Sequence, residues 1–114
     1  MECLVKKQSK FAQDVAKLLQ YINDQGEHCT LAEAYRTPEQ AALYAKEGKG
    51  IKDSLHCVRC AIDICLFDAD WKYQTKAEPY KKYADYWVTL DPANRAGYFW
   101  EKKDANHFER NPSL

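Results

Sequence analysis

Ser54-Leu55-His56-Cys57-Val58-Arg59-Cys60-Ala61-Ile62-Asp63-Ile64-Cys65-Leu66-Phe67 is the stretch on which the reading of this chain turns. Its second half, Ala61 to Phe67, has strand composition. Period two puts Ile62, Ile64 and Leu66 on one face and Ala61, Asp63 and Cys65 on the other. A carboxylate on an otherwise apolar strand needs compensation when it is buried, and a metal ion provides it.

A second stretch, Lys103-Asp104-Ala105-Asn106-His107-Phe108-Glu109, completes the thought. A catalytic zinc typically takes three protein ligands and keeps a fourth position for water. His56, Asp63 and His107 meet that count. Asp104, close to a ligand without being needed as one, is placed to take the proton of the water. The combination points to a metal-dependent hydrolase. Glu101 is a rival for the base, and Glu109 is either a partner for the free nitrogen of a ligand imidazole or a solvent-facing carboxylate. Cys57-x-x-Cys60, with His56 and Cys65, supports a competing thiolate-rich structural zinc site, in which tetrahedral closure leaves no open position. Against it, no second ligand pair of the usual kind is present, and buried packing thiols are the other reading of these cysteines.

Outward from these stretches, residues 8 to 24 place Phe11, Val15, Leu18, Leu19 and Ile22 at helical spacing, with Lys10, Gln13, Asp14 and Lys17 between them and Gly26 as a stop. Cys29 to Tyr35 reads as a short strand, with Arg36 at its end. Thr37-Pro38-Glu39-Gln40 is a helix start, because Thr37 can cap the amide of Gln40 and Pro38 suits the first helical position. That helix runs to about Glu47, and Gly48-Lys49-Gly50 opens a loop into Ser54. Asp68 to Trp71 is a turn, and Pro79, Tyr80, Tyr83, Ala84, Trp87 and Val88 mark a third helix. Asp91 to Gly97 is a loop. Tyr98-Phe99-Trp100 and Asn106-His107-Phe108-Glu109 read as two strands of a hairpin, with His107 and Glu109 on one face. The fold expected over 1–114 is a single small α+β domain, with helices packed on a short antiparallel sheet that carries a zinc site.

Composition narrows the partners. With 114 residues the chain supports one hydrophobic core, which the site must share. Seventeen basic residues balance seventeen acidic ones without a basic stripe, so a nucleic-acid partner is not expected. No apolar run reaches the length of a membrane span, and Met1 to Lys7 lacks the apolar stretch of a secretory signal. Five cysteines, an odd number, are expected as free thiols in a cytoplasm. Eight tyrosines, four phenylalanines and three tryptophans fit a compact core better than a stacking cleft.

On these motifs the sequence resembles the zinc peptidases of the D-alanyl-D-alanine carboxypeptidase and dipeptidase type, a group that includes phage endolysins cleaving L-alanyl-D-glutamate bonds of bacterial cell-wall peptides. Ser54, His56, Ala61 and Asp63 match the first motif of that family, and Asp104 and His107 match its second. Tyr35-Arg36-Thr37-Pro38 matches the context of its arginine. Order and spacing agree from about residue 30 to 110. Two positions depart from the pattern: Arg59 stands where the family usually has Gly, and Asn106 stands where a Trp often adjoins the His.

The resemblance implies that His56, Asp63 and His107 hold Zn2+, that Asp104 is the general base and that Arg36 steadies the oxyanion or binds a substrate carboxylate. The bland alternative for Arg36 is an ion pair with Glu39. Ser54 either binds substrate or orients its loop. The implied substrate is a bacterial peptidoglycan peptide. The expected protein is a monomeric endolysin made in the host bacterial cytoplasm and kept there until a pore-forming partner releases it to the wall. A D-alanyl-D-alanine carboxypeptidase or dipeptidase, and a non-catalytic zinc-stabilised binding domain, are the alternatives.

Overall fold

A computed structural model describes residues 3–50 and 54–114. The stretch 51–53 of the loop expected before Ser54, and the first two residues, lie outside the described residues. The elements in chain order are α1 (Leu4–Asp24), β1 (His28–Leu31), α2 (Pro38–Lys46), β2 (Ala61–Phe67), α3 (Lys81–Leu90), β3 (Asn94–Ala96) and β4 (His107–Arg110). Short 3-10 turns occupy Leu55–Val58, Glu78–Tyr80 and Gly97–Phe99. The strands form one antiparallel sheet in the order β1-β2-β4-β3, so three helices and a four-stranded sheet make the α+β domain expected from the sequence.

Strand β2 is central and its alternation is the one read from the sequence. Ile64 and Leu66 are fully buried and Ile62 nearly so. They meet Phe11, Leu18 and Ile22 of α1, Tyr83, Ala84 and Trp87 of α3, and Phe108 of β4 in one core. Trp87 lies edge-on to both Phe11 and Phe108, with ring centroids 5.7 and 5.8 Å away, a favoured geometry for aromatic pairs. Its indole Nε1–H donates to the carbonyl of Arg95 (3.1 Å) and to that of Glu109 (3.0 Å). One core side chain thus clamps β3 to β4 from the core side of the sheet.

Three element assignments and the placement of one side chain differ from the sequence reading. Helix α1 begins at Leu4 rather than residue 8, because tertiary contacts hold its first turns: Lys7 Nζ donates to the carbonyl of Pro112, and Gln8 Nε2 donates to that of Val58 at 2.9 Å. Asp14, expected on the polar side of α1, is buried and accepts from Asn94 Nδ2 at 3.0 Å. Strand β1 ends at Leu31 rather than Tyr35, since the backbone from Ala32 onward leaves the strand geometry to bond around the site. Tyr98 to Trp100 is not a strand of the final hairpin. Residues 97–99 form a 3-10 turn, and the partner of β4 is Asn94–Ala96 within the expected loop. The capped start of α2 is as expected, with Thr37 Oγ1 accepting from the Gln40 amide at 3.0 Å.

Gly97 shows what the expected loop contributes. A Cβ added there would lie 2.2 Å from the backbone oxygen of Asp104. The Gly97 carbonyl in turn accepts from the Asp104 amide at 3.0 Å. Only glycine allows this close approach, which seats the Asp104 loop against the end of β3. Gly97→Ala is therefore expected to lower stability by about 1–3 kcal/mol. Trp87→Phe, which removes the indole N–H that joins the two carbonyls and leaves a smaller ring in the core, is expected to cost about 1–3 kcal/mol. Urea denaturation of both variants against the parent checks these values, and unchanged midpoints would remove both claims.

Candidate metal centre

Antiparallel pairing assembles the site. His107 of β4 lies opposite Asp63 of β2, and Glu109 lies opposite Ala61 on one side and Arg95 on the other. Directly opposed residues share a face, so Asp63, His107, Glu109 and Arg95 stand together on the face away from the Ile62, Ile64 and Phe108 core. His56 comes from outside the sheet, on the 3-10 turn before β2. That turn is capped by Ser54, whose Oγ accepts from the His56 amide at 3.2 Å.

The irregular segment after β1 holds these pieces in place. The Ala32 amide donates to the Asp63 carbonyl (2.9 Å) and the Asp63 amide donates to the Glu33 carbonyl (2.8 Å). His56 Nδ1 lies 3.1 Å from the Ala34 carbonyl. A bond there leaves Nε2 with its lone pair free toward the site. Nε2 is 3.4 Å from Asp63 Oδ2, close to the roughly 3.3 Å that separates two ligands held at about 2.0–2.1 Å by a tetrahedral ion. Among the described residues, His56, Asp63 and His107 form the group able to hold a metal ion, their ligand atoms all within 4.8 Å of one another. The cysteines take no part in it. Cys60 is buried, Cys57 Sγ faces the Thr37 carbonyl at 3.8 Å, and all five thiols are free.

His107 tests whether the donor set suits a cation. It has a carboxylate at each ring nitrogen: Nδ1 is 3.0 Å from Asp63 Oδ1 and Nε2 is 2.7 Å from Glu109 Oε1. Neutral imidazole has one N–H and cannot donate to both. Either the ring is protonated or a cation sits beside Nδ1 while Nε2–H donates to Glu109. In the metal-free site, burial opposes the charged ring, yet the hydrogen bonds to Asp63 and Glu109 prevail and raise its pKa to about 9. Burial likewise opposes the charge of Asp63, but bonds from His107 and His56 outweigh it and hold the carboxyl at about 2. Two imidazoles and an ionised carboxylate around a positive centre are the chemistry of a catalytic zinc site, and the residues fit such an ion.

Glu109 is buried, which excludes the solvent-facing alternative. It joins His107 to Arg95, whose Nε donates to Oε2 at 2.7 Å. Asp104 is about half exposed, with Oδ2 3.9 Å from His107 Nδ1. Burial and the neighbouring Asp63 raise its pKa above the usual carboxylate value, although the imidazoles and Arg36 act in the opposite direction. Arg36 does not pair with Glu39. Its Nε and Nη2 engage Glu33, its Nη1 donates to Ser54 Oγ at 3.2 Å, and its guanidinium stacks 5.0 Å from the Tyr44 ring centroid. Ser54 is thus buried as a cap and as a support for Arg36.

These groups line a cleft of about 560 Å³, within the usual range for ligand sites. Arg36, Ser54, His56, Asp63, Asp104 and His107, all singled out from the sequence, are among its walls, and Glu101 is not. Sequence reasoning missed Arg95, Trp100 and Lys49. Trp100 packs on His107 with centroids 5.2 Å apart, so the indole beside the imidazole comes from the preceding loop rather than from position 106. Arg59, at the expected glycine position, keeps a left-handed backbone (φ 57, ψ 36) and lays its guanidinium 4.2 Å from the Tyr35 ring centroid. The conformation that favours glycine is retained, at a cost of about 1–2 kcal/mol for a residue with a Cβ. Arg59 is directed away from the cleft walls.

No family model matches the chain, and no curated protein matches it. Solved structures do. The L-Ala D-Glu endopeptidase ChiX of Serratia marcescens aligns with a TM-score of 0.64 at 18% identity, covering 74% of this chain and 67% of that one. A mutant of the vancomycin resistance D,D-pentapeptidase VanY from the VanB-type resistance cassette, in complex with Zn(II), aligns with a TM-score of 0.60 at 18% identity, covering 89% of this chain and 70% of that one. The chain shares the fold of these two peptidases.

Proposed function

We propose that this protein is a zinc-dependent peptidase that hydrolyses a peptidoglycan stem-peptide bond, and that the bond is L-alanyl-D-glutamate. The observation that carries the proposal is the convergence of His56 Nε2, Asp63 and His107 Nδ1 within 4.8 Å in a cleft that also holds a half-exposed Asp104. The fold shared with an L-Ala D-Glu endopeptidase and with a Zn(II)-bound D,D-pentapeptidase supports the substrate class.

His56, Asp63 and His107 would hold the ion, which when bound supplies Lewis acidity toward a water and the scissile carbonyl. Asp104 takes a proton from the attacking water as its oxygen adds to the carbonyl carbon. Its half-exposed carboxylate, 3.9 Å from His107 and not tied by a direct hydrogen bond among the described residues, is free to accept that proton. The same carboxyl then returns the proton to the departing amine, so that one water is added across the broken C–N bond. Arg36, braced by Glu33 and Ser54, donates to the oxygen on which negative charge develops. Glu109 holds the His107 ring in the orientation that presents Nδ1.

The second reading, a D-alanyl-D-alanine carboxypeptidase or dipeptidase, draws on the likeness to the D,D-pentapeptidase. A non-catalytic binding domain is the third. Fragments released from purified peptidoglycan by the zinc-loaded protein separate them by mass. New alanyl carboxyl termini and glutamyl amino termini are expected, and they disappear on chelation. Released D-alanine or its dipeptide establishes the second reading, and no metal-dependent product establishes the third. Asp104→Ala is expected to lower turnover about 10²–10⁴-fold with zinc binding kept.

We carry the lytic role into the same proposal: a monomer made inside a host bacterium that reaches the wall once a separate protein opens the membrane. Among the described residues no helix is long and apolar enough to cross a membrane. Expression in a bacterial cytoplasm is expected to leave a culture growing, and co-expression with a pore-forming protein is expected to lyse it. Lysis by the pore-former alone at the same rate removes the lytic role.

A further inference from the structure

We propose that Arg95 is a specificity-determining residue that binds a carboxylate of the substrate beside the scissile bond. The inference rests on the endopeptidase reading above. In an L-alanyl-D-glutamyl stem peptide that continues through the glutamate side chain, the α-carboxylate of the D-glutamate is free. It is carried on the carbon bonded to the scissile nitrogen, and in some walls it is replaced by a carboxamide.

Three cations line the cleft: Arg36, Lys49 and Arg95. Arg36 is held along both edges, by Glu33 through Nε and Nη2 and by Ser54 through Nη1, and the mechanism proposed above assigns its remaining N–H groups to the oxyanion. Lys49 is an exposed rim charge, its side chain 68% exposed and its ammonium 3.9 Å from Glu47. Arg95 differs from both. It sits at the middle of β3, opposite Glu109, on a backbone pinned by the Trp87 indole through the Arg95 carbonyl.

Its guanidinium is fixed along one edge only. Nε and Nη2 both donate to a single oxygen of Glu109, at 2.7 and 2.5 Å. Of the five N–H groups of an arginine, this leaves those on the Nη1 side without a protein partner among the described residues, on a side chain 47% exposed and lining the cleft. A carboxylate lying across Nη1 and Nη2 takes two parallel hydrogen bonds, the geometry in which arginine best reads this group. Glu109 has already oriented the plane, so little freedom is lost on binding. The acidic side chains of the cleft, Asp63, Asp104 and Glu109, offer a substrate carboxylate no donor, so the cationic groups are where it can be bound. Glu109 also ties Arg95 to the metal centre: one carboxylate and one imidazole link its guanidinium to His107 Nδ1, and both side chains line the same cleft.

The test is a pair of synthetic stem peptides, identical except that one carries the free α-carboxylate of D-glutamate and the other the α-carboxamide, assayed with the zinc-loaded protein. The readout is the ratio of the two kcat/KM values, which cancels any general damage from loosening Glu109. The parent enzyme is expected to favour the free acid by about 10- to 100-fold, the worth of a charge-assisted hydrogen-bonded pair. Arg95→Gln is expected to bring the ratio close to one, Arg95→Lys to keep part of the preference, and Lys49→Gln to keep most of it. A parent enzyme indifferent to the carboxamide overturns the proposal. So does an Arg95→Gln variant that slows both peptides equally, which assigns Arg95 the purely structural task of holding Glu109, and so does loss of the preference in Lys49→Gln alone. If the parent cleaves neither peptide, the endopeptidase reading itself fails and takes this proposal with it.

Discussion

The cross-strand pair of Asp63 and His107 is the constraint around which the molecule is arranged. An antiparallel ladder places directly opposed side chains on one face at short separation. Setting an aspartate of β2 against a histidine of β4 therefore creates a polar cluster on a sheet whose other face is the core. The register that brings these two together is the register that buries Ile62 against Phe108. A slip of one residue would exchange the two faces, so the hydrophobic core and the metal centre enforce the same alignment.

Charge neutralisation in the cluster follows from that pairing. Three carboxylates, Asp63, Asp104 and Glu109, share the cleft with two imidazoles and the cationic Arg36 and Arg95. Each anion is matched by a specific donor or by solvent. Asp63 is matched by the imidazoles, Glu109 by His107 and Arg95, and Asp104 by its partial exposure. Asp104 has no direct hydrogen bond to its carboxylate among the described residues, and burial pushes its carboxyl up, whereas Asp63, bonded by both imidazoles, is held well down. The site thus separates its carboxylates by how tightly each is paired.

Rigid support comes from elements with little chemistry of their own. Trp87 ties β3 to β4 from the core side, Gly97 seats the Asp104 loop, and the backbone of residues 32–36 meets both His56 and Asp63. The strand-borne Asp63, Arg95, His107 and Glu109 and the loop-borne walls around them are thus tied to one another by backbone contacts, which keeps the cleft in a fixed geometry. Arg59 illustrates the limit of such support. Its left-handed backbone is set by the end of the 3-10 turn, and stacking on Tyr35 accompanies a conformation that glycine would adopt without strain.

Local chemistry made much of this legible in the sequence. The alternation of Ala61 to Phe67 fixed which side of β2 is core and which carries Asp63, and the Thr37-Pro38 start fixed α2, because side-chain direction in a strand and capping at a helix end are properties of neighbouring residues. His56, Asp63, Asp104 and His107 were legible as a set through their combination and its resemblance to the zinc peptidase motifs, and the fold brings all four into one cleft. What was not legible depends on residues distant in sequence. Arg95 reaches the site only because Asn94–Ala96, and not Tyr98–Trp100, pairs with β4. Glu33 rather than Glu39 meets Arg36 because the chain leaves β1 early to bond with Asp63. Gly97 matters through a backbone contact with Asp104 that no spacing encodes. The sequence by itself determined the three helices, the central strand β2 and the residue types gathered in the cleft, since these follow from local periodicity and side-chain chemistry. Only the tertiary structure decided which carboxylate holds which imidazole and which arginine faces the cleft, since pairing across strands is set by packing of the whole core.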